Sequence, residues 1–305
     1  MKRTARILSS LGCVLLAALA AGCAAAPERP AAVTPPAAAA PPPRVVPLPS
    51  SDAATLAALD RVIAGPHRSE ASRARDVYRH PRQTLAFFGI RADMTVLEVW
   101  PGAGGWYTEL LAPLLREHGR YIAAGLDPKN ESKFAQDSVR AFRVMLDATP
   151  ELYDKVEVTA LEYPGALAPV SAASVDLIVT FRNLHNWLAR DGAAPAMLAA
   201  IYAALKPGGI LGLVDHRADP AAAVDPKAKS GYVNERLAIE LVEHAGFEFI
   251  GSSAVNANPK DDHDHELGVW TLPPTWRLGD RDRGKYAAIG ESDRFTLRFR
   301  KPSAP

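Results

Sequence analysis

The chain has 305 residues, of which 48% are hydrophobic and 23% are charged, and its formal net charge is +1 at pH 7. This near-neutral balance, without a basic stripe, argues against nucleic acid as a partner. The two cysteines are Cys13 and Cys23, so the chain beyond them holds no disulfide, no cysteine nucleophile and no cysteine-bound metal.

Residues 1–23 predict a signal peptide. The segment MKRTAR carries three positive charges, and the apolar run after it is too short for a comfortable membrane span. The run ends at Ala20-Ala21-Gly22-Cys23, which is similar to the lipobox of bacterial lipoproteins, although Leu19 stands one place early. We expect export to the periplasmic side of a bacterial membrane and lipidation at Cys23. An ordinary signal peptide with an incidental cysteine is the alternative.

The rest of the chain divides into a linker and one domain. Residues 24–50 consist mostly of proline and alanine, a composition that favours extended conformations and buries little surface. Residues 51–305 are long enough for one large domain with a full core. Membrane contact is therefore expected only through the lipid anchor, with the linker as a tether.

Segments rich in β-branched residues alternate with helical patterns along this domain, which predicts βαβ units and a mostly parallel sheet. An N-terminal helical extension covers 52–88, with a break near Gly65-Pro66. Strands are predicted at 95–99, 121–126, 155–161, 174–181, 210–215, 247–255 and 294–300. Helices are predicted at 106–117, 132–147, 195–205 and 234–245. The insertion 256–294 is expected to act as a lid or to face a substrate.

Ligands of open α/β sheets bind beyond the carboxyl ends of the strands. The residues predicted at these ends are the loop 100–105, Asp127, Glu162, the run NLHNW and Asp215-His216-Arg217. Two nucleotide-binding patterns are excluded. Tyr107 stands where G-x-G-x-x-G needs its third glycine, and the chain has no GK[ST].

Four segments together resemble the class I S-adenosylmethionine-dependent methyltransferases over most of residues 90–255. They are VLEVWPGAG, Asp127 after the second strand, SVDLIVTFRNLHNW with LKPGGILGLVD, and AGFEFIGSS. More narrowly, EVWPG…GWY, RDVYRHP and SDRFTLRF resemble a bacterial group of predicted methyltransferases that often carry export signals. The resemblance implies a Rossmann-like α/β fold whose mostly parallel seven-stranded sheet has helices on both faces. It also implies S-adenosylmethionine as cofactor and a small-molecule methyl acceptor.

The chemistry of the residues supports the cofactor contacts that the resemblance implies. Glycines let a ligand approach the loop backbone, and the helix that follows suits the methionine carboxylate. Glu98 is suited to accept from the cofactor ammonium and Asp127 from the ribose hydroxyls, with Glu162 near the adenine amino group. The expected cofactor-binding residues are Glu98, Trp100, Gly102, Ala103, Gly104, Asp127 and Glu162.

Trp100 departs from the family pattern, which has glycine at this place. A residue before proline is pushed towards an extended conformation, so we expect Trp100-Pro101 to end the strand without needing the freedom of glycine. The indole would then pack under the loop or line the pocket. The alternative is that the indole blocks the pocket and the site is dead.

Three side chains are candidate catalytic residues. Methyl transfer requires a positioned nucleophile and, for an oxygen or a protonated nitrogen, a base. His185 follows the fourth strand, and Asp215 and His216 end the fifth. For His185 the structural alternative is a histidine packed at a strand end. For Asp215 and His216 it is a surface turn after the fifth strand. Asn183 and Asn186 are expected to orient substrate or to cap the next turn.

Upstream of the first strand, Arg75, Tyr78 and Arg79 are candidate substrate contacts, because arginines clamp anions. A solvated helix face is the alternative. The run DDHDHE at 261–266 lacks the histidine spacing of metal sites, and no metal is expected. In the insertion, Trp270 and Trp276 form either a substrate wall or a small core.

Two functions remain open. The first is methyl transfer from S-adenosylmethionine to an unidentified small molecule, and the second is a non-catalytic exported protein that binds a small ligand on the same fold. Intact Gly102, Gly104 and Asp127 favour the enzyme. Trp100 and the export signal favour the binding protein, because the cofactor is made in the cytoplasm. An inefficient signal that leaves the enzyme inside the cell is a third possibility.

Overall fold

The computed structural model describes residues 50–303. The predicted signal peptide, Cys23 and the linker up to residue 49 lie outside the described residues. The helices are α1 (Ala53–Ile63), α2 (Glu70–Arg73), α3 (Asp76–Arg79), α4 (Pro81–Phe88), α5 (Thr108–Leu115), α6 (Lys133–Asp147), α7 (Pro150–Tyr153), α8 (Leu184–Leu188), α9 (Ala193–Ala204), α10 (Glu235–His244) and α11 (Arg283–Ile289), with a 3-10 turn at Gly268–Thr271. The strands are β1 (Thr95–Val99), β2 (Arg120–Gly125), β3 (Glu157–Ala160), β4 (Val175–Phe181), β5 (Leu205–His216), β6 (Glu248–Ser253) and β7 (Arg294–Arg300).

The strands form one seven-stranded sheet in the order β3-β2-β1-β4-β5-β7-β6. The pairings among β1 to β5 are parallel, whereas β7 runs antiparallel to both β5 and β6. The predicted Rossmann-like fold is confirmed. The sheet, predicted to be mostly parallel, is a mixed sheet in which β7 is antiparallel to both of its neighbours. Its strand order reverses between β1 and β4, which is the place where ligands bind in open α/β sheets.

Local chemistry explains where several elements begin. The side chains of Ser132 and Asn234 each accept a hydrogen bond from a backbone amide three residues on, so α6 and α10 start directly after them. The LKPGG segment, which lies before the predicted strand 210–215, belongs to the start of β5. There the pairing of β4 with β5 shifts register between Val175 and Leu177, because a bulge absorbs the extra residues.

The sheet separates two hydrophobic cores. Leu177 and Val179 of β4 belong to the core that includes residues of α1, α4, α5 and α6. Ile178, between them, belongs to the core that includes residues of α8, α9 and α10. This alternation follows from the two-residue period of a strand. Helices therefore cover both faces of the sheet, as predicted.

The predicted helical extension contains four separate helices rather than one broken helix, and the last of them, α4, ends at Gly89 with φ of 78°. The insertion 256–294 contains the 3-10 turn and α11. Within residues 50–303, no helix combines the length and the apolar character that a membrane crossing requires.

Candidate functional site

Two cavities open at the carboxyl edge of the sheet. One, of about 640 Å³, is lined by residues after β1 and β4, by the end of β5 and by the insertion. The other, of about 610 Å³, is lined by the ends of β2 and β3 and by α6. We name them the arginine–histidine cavity and the apolar cavity. Both are lined by Trp100, Pro101, Gly102 and Asn183, so they meet where the strand order reverses.

The glycines of the loop after β1 serve two purposes. Gly102 has a φ of 73°, which glycine adopts without strain. A Cβ added to Gly102 or Gly104 would meet no atom within 4 Å, so the backbone faces open space there. A Cβ at Gly105 would lie 2.3 Å from Cε of Met145 in α6. The loop is therefore open to a ligand on one side and packed tightly against α6 on the other.

The extended conformation expected for Trp100 is wrong. Its φ is 52°, in the left-handed region, which is costly for a residue other than glycine. Contacts of the indole override the preference set by the following proline. Nε1 donates to the carbonyl of Leu161 at 2.7 Å, and the ring packs edge-on against Trp187 with centroids 6.2 Å apart. The indole is thus a fixed wall common to both cavities.

The three candidate catalytic residues form one buried group, so the surface turn considered for Asp215 and His216 is wrong. Asp215 is fully buried. Its Oδ1 lies 2.9 Å from Nδ1 of His185 and accepts the backbone N–H of His216 at 2.8 Å. Its Oδ2 accepts the backbone N–H of His185 at 3.1 Å. The bond at Nδ1 places the proton of a neutral His185 there and leaves Nε2 as an acceptor.

His216 lies beside His185, with ring centroids 5.2 Å apart, and its Nδ1 is 2.5 Å from Oγ of Ser292. Burial, then His185 and nearby arginines, hold the pKa of His216 well below its ordinary value, so its ring is neutral at neutral pH. Ligand atoms of His185, Asp215 and His216 lie within 4.8 Å of one another. The arginines described next oppose a metal cation at this place by like-charge repulsion.

Four arginines line the same cavity: Arg75, Arg79, Arg182 and Arg294. Glu291 lies among them, with Oε1 accepting from Nε of Arg75 at 2.5 Å and Oε2 accepting from Nη2 of Arg294. Nε of Arg79 is 3.6 Å from Oε2, too far for a hydrogen bond. Burial alone would raise the pKa of Glu291, but the guanidiniums of Arg294, Arg79 and Arg75 outweigh it and hold the pKa below its ordinary value.

Glu98 lies at the base of the glycine loop and lines the arginine–histidine cavity, although only 2% of it is exposed. The hydroxyl of Tyr121 donates to its Oε2 at 2.5 Å, and that of Thr108 lies 3.4 Å away. Burial raises the pKa of Glu98 to about 7 despite these hydroxyls. The position suits both the ordering of α5 and contact with a cation in the cavity.

The apolar cavity has mostly hydrophobic walls, which include Leu126, Phe134, Val139, Phe142 and Val158. Glu162 lines it as well, with Oε2 accepting the backbone N–H of Asp127 at 2.7 Å and Oε1 accepting from Nδ2 of Asn130 at 2.6 Å. Asp127 follows β2 and accepts the backbone N–H of Lys129 at 2.9 Å. Asp127 is not itself among the residues that line the cavity.

No family model and no curated protein matches the sequence. Among solved structures, a SAM dependent methyltransferase from Aquifex aeolicus is similar with a TM-score of 0.50 and 17% identity, over 81% of this chain and 98% of that chain. The [4+2]-cyclase SpnF is similar with a TM-score of 0.51 and 17% identity, over 85% of this chain and 99% of that chain. The chain has the class I methyltransferase fold. At this identity the likeness establishes the fold, and the activity is argued separately.

Other predicted residues take different places in this methyltransferase fold. Nδ2 of Asn183 donates to the carbonyl of the last residue of β1 at 2.8 Å, so its side chain joins β1 to β4 and does not cap α8. Asn186 is exposed and lines the apolar cavity. Ala103 is exposed and lines neither cavity. Tyr78 contributes its carbonyl, which accepts from Nη1 of Arg294 at 3.3 Å.

Sequence reasoning missed Arg182, Glu291, Ser292 and Arg294. Arg182 directly follows β4, with a φ of 62°, and its place at a strand end is the signal that could have found it. The other three lie just before β7 or at its start. Because β7 runs antiparallel to β5, its first residues lie at the carboxyl edge of the parallel strands. The class I resemblance over residues 90–255 does not reach them, and the narrower resemblance through SDRFTLRF, which contains Ser292 and Arg294, implied no role for either residue.

The insertion contributes one of its two candidate tryptophans to the cavity. Trp270 lines it, with its ring 6.2 Å from that of His185, whereas Trp276 does not line it.

The acidic run at 261–266 has a structural role. Asp261 accepts from the hydroxyl of Tyr232 at 2.9 Å and lies 2.8 Å from Nε2 of His265, so its carboxylate holds the insertion together.

Proposed function

We propose that this protein transfers a methyl group from S-adenosylmethionine to a small molecule. The observation that carries the proposal is the meeting of two cavities at the glycine loop, where Trp100, Pro101 and Gly102 line both. A cofactor with an adenosine half and a methionine half needs two such compartments, with its reactive centre between them. The neighbour from Aquifex aeolicus, described as SAM dependent, supports the proposal through its fold.

The residues present fit this cofactor. The hydrophobic walls of the apolar cavity suit the faces of an adenine ring, and Asp127 and Glu162 stand at the ends of β2 and β3. The open space at Gly102 and Gly104 lies before the N-terminus of α5, whose dipole favours a carboxylate. Glu98 suits the ammonium group. When bound, S-adenosylmethionine supplies a methyl group on a positively charged sulfur.

The contribution of His185 is that of a positioned base. Asp215 fixes the imidazole and leaves Nε2 without a hydrogen bond to any residue in the range 50–303. Nε2 accepts the proton that an oxygen or nitrogen of the acceptor releases as it attacks the methyl group. Asp215 then stabilises the imidazolium that results. Trp270 and the neighbouring residues of the insertion wall the cavity and limit the access of water to it.

A non-catalytic binding protein is the second candidate. The observation that favours it is Trp100, whose indole is fixed as a wall where the two halves of the cofactor would meet. The fold alone does not establish methyl transfer, since the similar structure SpnF is described as a cyclase. The proposed location, outside the cytoplasmic membrane with a lipid on Cys23, adds support, because the cofactor is made inside the cell.

The test is calorimetric titration of the full-length protein with S-adenosylmethionine and with its demethylated product. The variant is Gly104→Val, which fills the open space before α5. Gly284→Val in α11 is the matched control. A Cβ at either glycine meets no atom within 4 Å, and neither has a positive φ, so both variants should fold. Gly104 lines the arginine–histidine cavity, whereas Gly284 lines neither this cavity nor the apolar cavity.

We expect wild type and Gly284→Val to bind with micromolar affinity. Gly104→Val should bind at least about tenfold more weakly, a loss of about 1.4 kcal/mol. A folded wild-type protein that binds neither compound would refute the proposal and favour the binding protein. If both variants bind S-adenosylmethionine with equal affinity, the cofactor does not bind at the glycine loop.

A further inference from the structure

The arginine–histidine cavity contains more positive than negative charge. Its charged lining residues are the cations Arg75, Arg79, Arg182 and Arg294 and the carboxylate Glu98. A second carboxylate, Glu291, does not line the cavity but accepts hydrogen bonds from Arg75 and Arg294. The guanidiniums outnumber the carboxylates even when both carboxylates are ionised. A buried charge without a partner is strongly unfavourable, so this lining favours a ligand that brings negative charge.

Several guanidinium nitrogens in this cluster are buried without a hydrogen-bond partner among residues 50–303. They are Nη2 of Arg75, Nε and Nη2 of Arg79, and Nε of Arg294. The side chains of Arg79 and Arg294 are each only 3% exposed. The guanidinium of Arg182 forms no hydrogen bond or ion pair within the same range. Buried donors in folded proteins are nearly always satisfied, so these nitrogens await an acceptor.

The cofactor does not supply the missing negative charge. S-adenosylmethionine carries one carboxylate against an ammonium and a sulfonium, so its binding adds net positive charge to the site. Burial, followed by the charge of Arg294, already lowers the pKa of Arg182 to about 10, which reflects the cost of burying this cation beside another. A second, anionic ligand would relieve that cost.

We propose that the arginine cluster binds a carboxylate or phosphate group of the methyl acceptor, which makes the substrate a small anion with an apolar part. This inference rests on the proposed function. Guanidiniums bind both groups through paired hydrogen bonds. The apolar part would face the aromatic side chains of the same cavity. Among these, Tyr107 and Phe181 stack with ring centroids 3.4 Å apart, and Trp270 lies across from His185. The nucleophilic atom would then be directed towards Nε2 of His185.

The experiment is calorimetric titration of the full-length protein with benzoate, phenyl phosphate and the neutral benzamide, with and without S-adenosylmethionine. The variant is Arg182→Gln, because a guanidinium without a partner leaves no carboxylate unpaired when it is removed. Arg75→Gln, at a side chain 24% exposed, is the second variant if the first fails to fold. Arg61→Gln, on an exposed residue of α1, is the control for loss of one positive charge.

We expect an anion to bind at least about tenfold more tightly than benzamide, and Arg182→Gln to weaken the anion at least about tenfold. The same variant should change the affinity for S-adenosylmethionine less than about threefold, and Arg61→Gln should change neither affinity.

Three results would overturn the inference: neither anion binds at about 10 mM, neither anion binds better than benzamide, or Arg182→Gln loses the cofactor together with the anion. The third result would assign the cluster to the methionine carboxylate. Binding of the cofactor without any anion would refute this inference and leave the proposed function standing. If the protein binds an anion but does not bind S-adenosylmethionine, the anion site stands and the proposed function is refuted.

Discussion

Replacement of Glu98 by glutamine should change how the stability of the protein depends on pH. Burial raises the pKa of this carboxyl from 4.5 to about 7 in the folded protein. The folded state therefore holds the proton more tightly than the unfolded state, and stability falls as the pH rises from the lower value through the upper one. The difference between the two values, at about 1.36 kcal/mol per pH unit, corresponds to about 3 kcal/mol. Glutamine has no charge to lose and escapes this cost.

The assay is urea denaturation of wild type and Glu98→Gln at a series of pH values, and the quantity of interest is the difference between their free energies of unfolding. Other groups, such as Glu291 with its lowered pKa, affect both proteins equally and cancel in this difference. We expect the difference, variant minus wild type, to rise by about 3 kcal/mol from about pH 4.5 to pH 8. Glu117→Gln, at a side chain 68% exposed, is the control and should show no such rise.

A difference that stays constant within about 0.5 kcal/mol would refute the reasoning, because burial of the Glu98 carboxylate would then have no net cost.

The protonation of Glu98 should also change the affinity of the protein for S-adenosylmethionine. An ammonium group binds a carboxylate better than a carboxylic acid, so the affinity of wild type for S-adenosylmethionine should rise with pH through about 7. In Glu98→Gln this affinity should not depend on pH over that interval.

Two further predictions concern Trp100 and Cys23. Trp100→Phe removes the hydrogen bond to the carbonyl of Leu161 and should lower the free energy of unfolding by about 1 kcal/mol in urea, with calorimetric affinity for S-adenosylmethionine changed less than about threefold. A gain in affinity of about tenfold or more would mean that the wild-type indole obstructs the cofactor. Cys23→Ser should abolish incorporation of labelled palmitate when the full-length protein is produced in a bacterium. The control variant Cys13→Ser should retain the label. Label on Cys23→Ser would refute lipidation at Cys23.

Regular strands were predictable from the sequence because their hydrophobic patterns are short and bounded by turn residues. The predicted ranges 95–99 and 294–300 coincide with β1 and β7. The short helices α7 and α8 were not predicted, and α2 and α3 were not separated within the predicted helical extension, because a single turn is too short to show a helical period. The direction of β7 was also missed, since a strand pattern carries no information about which neighbour it pairs with.

Part of the site was predictable because its residues follow strands. His185, Asp215 and His216 were found in this way, but their association was not. Asp215 reaches His185 because β4 and β5 lie side by side in register, with Phe181 opposite Val214. The backbone of Trp100 could not be predicted from the following proline, because a tertiary hydrogen bond and the contact with Trp187 outweigh that local preference.

The reversed direction of β7 decides the chemistry of the proposed substrate site. In the antiparallel pairing of β5 with β7, Arg294 stands opposite His216, and Ser292 just before it reaches the imidazole of His216. A parallel β7 would place these residues at the far edge of the sheet, and the cluster would lose Arg294 together with its partner Glu291. The remaining arginines come from α3 and its flank and from the residue after β4, so no single segment of the sequence carries the excess charge. The anionic character that we infer for the substrate is therefore a consequence of sheet topology.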